Sequence, residues 1–231
     1  SRGFTEGYYY KPRVDYEVLR KYSKGIICLS ACLAGEVQRF LARNLYEEAC
    51  EAARRYEEIF GKGNFFLELQ DHGIPEQTAV NQGVMRIARE TGLPLIVTND
   101  AHYLRKEDAE AHDVLLCIQT GKLLEDENRM RYEPRNFYVR STEEMEKLFG
   151  GYKDAVENTV KIADMCNVEL EFGNYHLPLF KLSDGVDHFE YLKKLCIDGL
   201  KVRYDNYTEH LPRLEYELNV INNMGFTDYF L

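Results

Sequence analysis

The sequence predicts an α/β fold over its first half and a mostly helical second half. Three observations carry that expectation. Short apolar runs alternate with amphipathic stretches between residues 16 and 105, the pattern of parallel strands with helices between them. Each apolar run breaks off into polar or thiol side chains, as strands do at the functional rim of a parallel sheet. Beyond Lys106 the spacing of apolar residues is largely helical.

The elements follow in order. Residues 1–13 are aromatic and Gly-rich and read as extended, with Pro12 stopping regular pairing. Tyr8, Tyr9 and Tyr10 read more readily as core or interface than as a base-stacking platform. Asp15 caps a short helix over residues 16–22. Residues 26–29 form a buried strand that runs into Ser30, Ala31 and Cys32. Residues 36–42 are helical. Residues 45–60 are more strongly so, with Ala49, Ala52, Ala53, Tyr56, Ile59 and Phe60 near 3.6 spacing. After the break at Gly61, residues 65–69 form a second strand that ends in Gln70-Asp71-His72-Gly73. Pro75 opens a helix that ends near Thr91, before Gly92 and Pro94. Residues 95–97 form a third strand, running into Thr98-Asn99-Asp100-Ala101-His102. Three strands are few for a sheet of this kind, so either more are hidden in the sequence or the sheet is only part of one.

The second half is expected to hold helices at 107–118, 154–166, 189–204 and 211–224, with a short strand at 136–140. Ser141 and Glu144 fit a capping box at the head of a further helix. Residues 175–187 read as a linker. A shift of composition near residue 183 divides the chain into expected domains of 1–183 and 184–231.

Composition limits what such a fold does. With 45% hydrophobic and 13% aromatic residues in 231, the chain buries a real core, which excludes disorder as its main state. It carries 29 basic and 39 acidic side chains, a net charge of −10, unlike a self-sufficient nucleic-acid clamp. No apolar run approaches the ~20 residues that span a bilayer, and no secretory leader opens the sequence. Six scattered cysteines without a Cys-x-x-Cys pair read as mainly buried thiols in a reducing cytoplasm. The glycine-rich phosphate loops, Gly-x-Ser-x-Gly, His-Glu-x-x-His and Asp-x-Asp signatures are absent.

The strand ends are therefore the candidate site. Cys32, Asp71, His72, Asp100 and His102 all fall on the rim, and Asp100-x-His102 is the sharpest signal. Residues two apart in an extended segment project to one side, so a carboxylate and an imidazole aim at one point, a donor set suited to a borderline divalent metal. Cys32 adds a thiolate. Plainer readings stand beside these: Asn99-Asp100 and Asp71-His72-Gly73 are also turn sequences, and Cys32 a structural thiol. His112, His176, His188 and His210 have no comparable context.

Several strings are together highly specific. They are Gly7-Tyr8-Tyr9-Tyr10-Lys11-Pro12-Arg13, Leu29-Ser30-Ala31-Cys32-Leu33-Ala34-Gly35-Glu36, Glu68-Leu69-Gln70-Asp71-His72-Gly73 and Thr98-Asn99-Asp100-Ala101-His102-Tyr103. His112-Asp113-Val114-Leu115-Leu116-Cys117 and Met224-Gly225-Phe226-Thr227-Asp228-Tyr229 continue the series. Along nearly its whole length the sequence resembles the bacterial replicative DNA polymerase III alpha subunits. The resemblance implies the second part of a PHP-type distorted (β/α) barrel, followed by the first helices of a polymerase palm. It implies metal ligation by Cys32, Asp100 and His102, the last of about nine family ligands, with zinc, manganese or iron as the ion. The sequence departs from the family in having no His-x-His motif at its start.

The function implied by the resemblance is that of a part of a cytoplasmic DNA-directed DNA polymerase. Its magnesium-dependent palm site and its DNA-gripping surfaces are expected beyond Leu231, and its partners include the proofreading subunit and the sliding clamp. The PHP part either hydrolyses phosphodiesters as a 3′–5′ exonuclease or stabilises the polymerase, and the chain alone is expected to extend no primer. Two other readings are a non-catalytic interaction module and a free-standing metal phosphoesterase.

Overall fold

A computed structural model describes residues 1–174 and 176–231 of the chain. They form two compact units, Ser1–Asn167 and Val168–Leu231. The expected boundary at residue 183 lies inside the second unit, ahead of its first helix. Tyr175, in the expected linker, lies outside the described residues.

The first unit opens with a short helix, α1 (Arg2–Thr5), and a tight hairpin of β1 (Tyr8–Tyr9) and β2 (Lys11–Pro12). Here the structure corrects the sequence reading: Pro12 does not stop pairing but sits opposite Tyr8, while Tyr9 faces Lys11. The hairpin is two residues deep and, with only two strands, both are edges, which is where a proline is tolerated. Helix α2 (Tyr16–Tyr22) follows, capped as expected by Asp15, whose carboxylate accepts the Val18 N–H at 2.8 Å.

At the centre lie β3 (Cys28–Leu29), β4 (Phe65–Leu69) and β5 (Leu95–Val97), all parallel, in the order β3-β4-β5. The connections carry α3 (Glu36–Ala42), α4 (Tyr46–Phe60) and α5 (Pro75–Thr91). Every residue of β4 is buried, as a parallel strand covered on both faces requires. Its side chains alternate. Phe65, Leu67 and Leu69 join Ala49, Ala52 and Ala53 of α4 and Val80, Val84 and Ile87 of α5 in the main apolar cluster. Phe66 and Glu68 fall outside that cluster, as the two-residue period of a strand demands. Helix α5 comes so close to α3 that a Cβ on Gly83 would stand 2.7 Å from a Leu41 methyl carbon.

After β5 the unit is helical: α6 (Ala109–Thr120), α7 (Thr142–Phe149) and α8 (Lys153–Met165). The Ser141/Glu144 capping box forms, with both reciprocal bonds in place. Helix α8 lies against β5, and the Asn158 amide donates to the Leu95 carbonyl at 2.8 Å. The strand expected at 136–140 reduces to one bridge between Tyr103 and Tyr138. The cause is local. The Phe137 carbonyl accepts the His102 and Tyr103 N–H groups, and its own N–H goes to the Tyr103 hydroxyl, so no ladder can propagate.

The second unit holds α9 (His188–Arg203), α10 (Leu211–Asn223) and α11 (Thr227–Phe230). Asp187 caps α9 by accepting the Glu190 N–H at 2.8 Å, and His188 pairs through Nδ1 with Asp228. Its core is small, with Leu192, Leu218 and Thr227 buried.

All six cysteines are free. Cys50 and Cys117 are buried and Cys28, Cys32 and Cys196 half-buried, but Cys166 is exposed, contrary to the reading of the thiols as mainly interior. It caps the C-terminal end of α8. Among the described residues no helix is long and apolar enough to cross a membrane.

Candidate metal centre

The three strands deliver Ser30, Gln70 and Thr98 to one rim, and one carboxylate links them. Glu68, buried on β4, accepts the Ala31 N–H and the Thr98 hydroxyl (2.6 Å), with the Gln70 amide at 3.5 Å. The Ser30 hydroxyl accepts the Glu68 N–H at 2.8 Å and the Gln38 amide at 2.7 Å. A polar plug therefore ends an apolar sheet. Both candidate loops leave it through a non-glycine residue in the left-handed region, Ala31 (φ 67°) and Asp100 (φ 41°). Such strain persists only where surrounding bonds impose it, and it concentrates at functional sites. Gly35 closes the first loop so tightly that a Cβ there would lie 2.2 Å from the Ser30 carbonyl oxygen.

The predicted residues separate into three places. Asp100 and His102 come together, with Oδ1 3.5 Å from Nε2 and about a third of each side chain exposed (32% and 31%). The His102 ring is held on several sides. Its centre is 4.4 Å from that of Tyr132, 5.7 Å from Phe137 and 5.8 Å from His112.

Cys32 does not join this pair. It lines a separate small crevice with Leu33, Gln38, Glu68 and Gln70. Cys28, in β3, is unsuited to thiolate chemistry, since burial and then the charge of Glu68 push it up to about 11.

Asp71 and His72 serve the loops. Asp71 Oδ1 accepts the Gly73 N–H at 2.8 Å, making the turn its sequence suggested. His72 is wholly buried beneath the rim. Its Nε2 lies 2.8 Å from the Asn99 carbonyl and its Nδ1 2.9 Å from the Gln77 amide, and its ring stacks on Phe137 at 4.2 Å. With both nitrogens engaged, His72 ties the β4 loop to the β5 loop and has no lone pair free for a metal.

The sequence reading passed over His112, Tyr132 and Phe137. His112 sits in mid-helix, and nothing in helical spacing reveals that its ring faces a loop residue ten positions earlier. Burial, then the charge of His102, pushes its imidazole below the usual histidine range. Tyr132 arrives on the 121–141 loop, which Arg129 fastens to α6 by two bonds to Asp113, at 2.5 and 2.7 Å. That bidentate pair holds the Asp113 carboxyl below its ordinary value of 3.8. A lowered acid contributes stability that is present above its unfolded value and lost as pH falls through the folded one. Asp113→Asn is therefore expected to lower the melting temperature at pH 7, and the difference from the unaltered protein is expected to shrink as pH falls below 3.8 and through the lowered native value. Melting curves across that range check it; an equal loss at both ends would assign the effect to shape rather than charge.

Among the described residues no three His, Cys, Asp or Glu side chains gather closely enough to hold a metal by themselves. Asp100 and His102 nevertheless fit a divalent ion as two of its ligands: an anionic oxygen and an imidazole nitrogen, side by side and reachable by solvent.

Comparison with known proteins gives this geometry its setting. The chain is 43% identical over 234 residues to the DNA polymerase III subunit alpha of Borreliella burgdorferi, and 43% over 233 residues to that of Treponema pallidum; both alignments take in 100% of it. The Thermus aquaticus subunit is 43% identical over 220 residues, covering 92% of the chain. Over its whole length the chain is similar to DNA polymerase III alpha subunits. It spans about a fifth of the length of these relatives, 20%, 20% and 18% in turn. Residues 1–72 match the PHP domain model and residues 190–231 the model described as bacterial DNA polymerase III alpha NTPase domain. Cys32, Asp71 and His72 lie within the PHP match, and Asp100 and His102 lie beyond it.

Proposed function

We propose that the chain acts in DNA replication as part of a DNA-directed DNA polymerase, and that its first unit contributes divalent-metal ligands to a PHP site. The observation that carries the metal reading is the Asp100–His102 pair at the end of β5, in a chain aligned over its whole length with polymerase alpha subunits. The parallel sheet is then part of a distorted barrel and residues 184–231 the start of a palm. Zinc, manganese or iron suits a carboxylate–imidazole donor set, and Cys32 joins only if its loop moves to meet the pair. The palm's magnesium and the main grip on DNA belong outside this chain, as do contacts with the proofreading subunit and sliding clamp. The cell compartment is the cytoplasm.

A divalent ion at such a site supplies a water acidic enough to attack a phosphodiester near neutral pH, the chemistry of a 3′–5′ exonuclease. The chain's own contribution is orientation. The Tyr132, Phe137 and His112 rings fix the imidazole plane, and the left-handed turn at Asp100 sets the carboxylate beside it. The second reading, a scaffold that stabilises the polymerase without metal, is favoured by the lack of a third gathered ligand among the described residues. Metal titration followed by calorimetry separates the two. Manganese or zinc is expected to bind the protein, and Asp100→Asn to weaken binding about tenfold or more. Absence of binding to the unaltered protein would leave the scaffold.

A further inference from the structure

The hairpin at the head of the first unit has no part in the metal reading, and of the two places expected for its tyrosines, core or interface, their exposure excludes the core. Tyr9 is 66% and Tyr10 79% exposed. Register places Tyr9 across from Lys11, and the two-residue period puts Arg13 on that same face. Tyr9 and Tyr10 meet edge to face at 4.7 Å, which leaves ring faces open, and the Arg13 guanidinium lies 5.8 Å from the Tyr9 ring centre. The platform is built rather than loose. The Arg13 N–H bonds to the Gly7 carbonyl at 3.1 Å, and a Cβ on Gly7 would stand 2.1 Å from the Arg13 carbonyl oxygen. Tyr10 holds its ring at the tip from the left-handed region (φ 59°), a conformation uncommon for a bulky residue, while its ring stays largely exposed apart from the contact with Tyr9.

Charge indicates the occupant. Residues 1–24 carry six basic side chains against three acidic ones, within a chain of net charge −10. Lysine is depleted at protein–protein interfaces, whereas open aromatic faces beside cations are how sequence-tolerant single-strand binding is built. We propose that the β1–β2 hairpin binds single-stranded nucleic acid, with Tyr9 and Tyr10 stacking on bases and Lys11 and Arg13 meeting phosphates. The site is independent of the metal pair, so it is tested in EDTA, where failure of the metal reading has no bearing.

Fluorescence polarisation of a labelled oligo(dT) 20-mer provides the measurement. Tyr9→Ser with Tyr10→Asn, the latter a residue that accepts the left-handed backbone, is expected to weaken binding about tenfold or more with little change in the salt slope. Lys11→Gln and Arg13→Gln are each expected to flatten that slope by about 0.7. Photo-cross-linking with a 5-iodouracil oligonucleotide should label the peptide holding residues 8–13. Melting curves confirm that the variants fold, and Tyr9→Phe with Tyr10→Phe should retain binding. Unchanged affinity in the folded Ser/Asn variant, or cross-links confined to other peptides, would overturn the proposal. So would protection of Tyr9 and Tyr10 from nitration in the nucleic-acid-free protein, which would show that a protein surface covers them.

Discussion

Leu67→Ala is expected to destabilise the first unit by about 3–4 kcal/mol, the range for truncating a fully buried leucine. Leu67 has no solvent exposure, stands at the middle of the central strand and belongs to the main apolar cluster. Its neighbours there come from α3, α4 and α5, elements braced by a sheet that cannot shift to fill a gap. A residual cavity is therefore expected in addition to the lost transfer energy. For a unit of this size the change corresponds to a fall in melting temperature of roughly ten degrees. Val160→Ala on α8 is the control. Val160 is 64% exposed, so its truncation should stay within about 0.5 kcal/mol. Urea unfolding of the two variants decides the matter, and a Leu67→Ala loss no larger than the control's would remove β4 from the core.

The apolar runs and their breaks made most of this sheet legible in advance. Phe65–Leu69 and Pro75–Thr91 form as expected because strong local signals bound them: Gly61 before the strand, Pro75 at the helix start and Gly92 after it. The features that stayed illegible depend on contacts distant along the chain. The 136–140 segment has strand-like residues, yet Phe137 spends its backbone groups on His102 and Tyr103. Pro12 was expected to end pairing, but a two-residue hairpin has an edge that needs no N–H from it. At the site, the Asp-x-His spacing picked out the right pair, but the extended segment that the spacing assumed is absent: Asp100 sits in the left-handed region (φ 41°), past the end of β5. His72, beside Asp71, also falls on the rim in sequence, as a weaker candidate than His102. Only the structure shows that Gln77 and Asn99 occupy both its nitrogens. His112 and Tyr132 could be placed beside His102 only by folding a helix and a long loop back onto it.

Glu68→Ala is expected to cost about 3–5 kcal/mol, and to disturb both candidate loops at once. One carboxylate there accepts the Ala31 N–H that begins the Cys32 loop and the Thr98 hydroxyl that begins the Asp100 loop. Truncation removes the acceptor of both donors, while the Gln70 amide keeps its 3.0 Å bond to the Thr98 hydroxyl oxygen, and each stranded buried donor costs about 1–3 kcal/mol. Glu68→Gln keeps the shape but turns one oxygen into an NH2 group. That group would confront either the Ala31 N–H or the Thr98 hydroxyl, donor against donor, unless the hydroxyl rotates to accept. Partial recovery is therefore expected, through Thr98, whose hydroxyl can reverse its role, and not through Ala31, whose N–H cannot. Thermal unfolding should rank the proteins unaltered, Glu68→Gln, Glu68→Ala. Thr98→Val tests the assignment. It removes the one partner able to adapt, so Glu68→Gln in that background should lose its advantage over Glu68→Ala. Equal stability of all three proteins would mean that Glu68 is not what joins the strand ends, and that the loops bearing Cys32 and Asp100 hold their strained turns by other means.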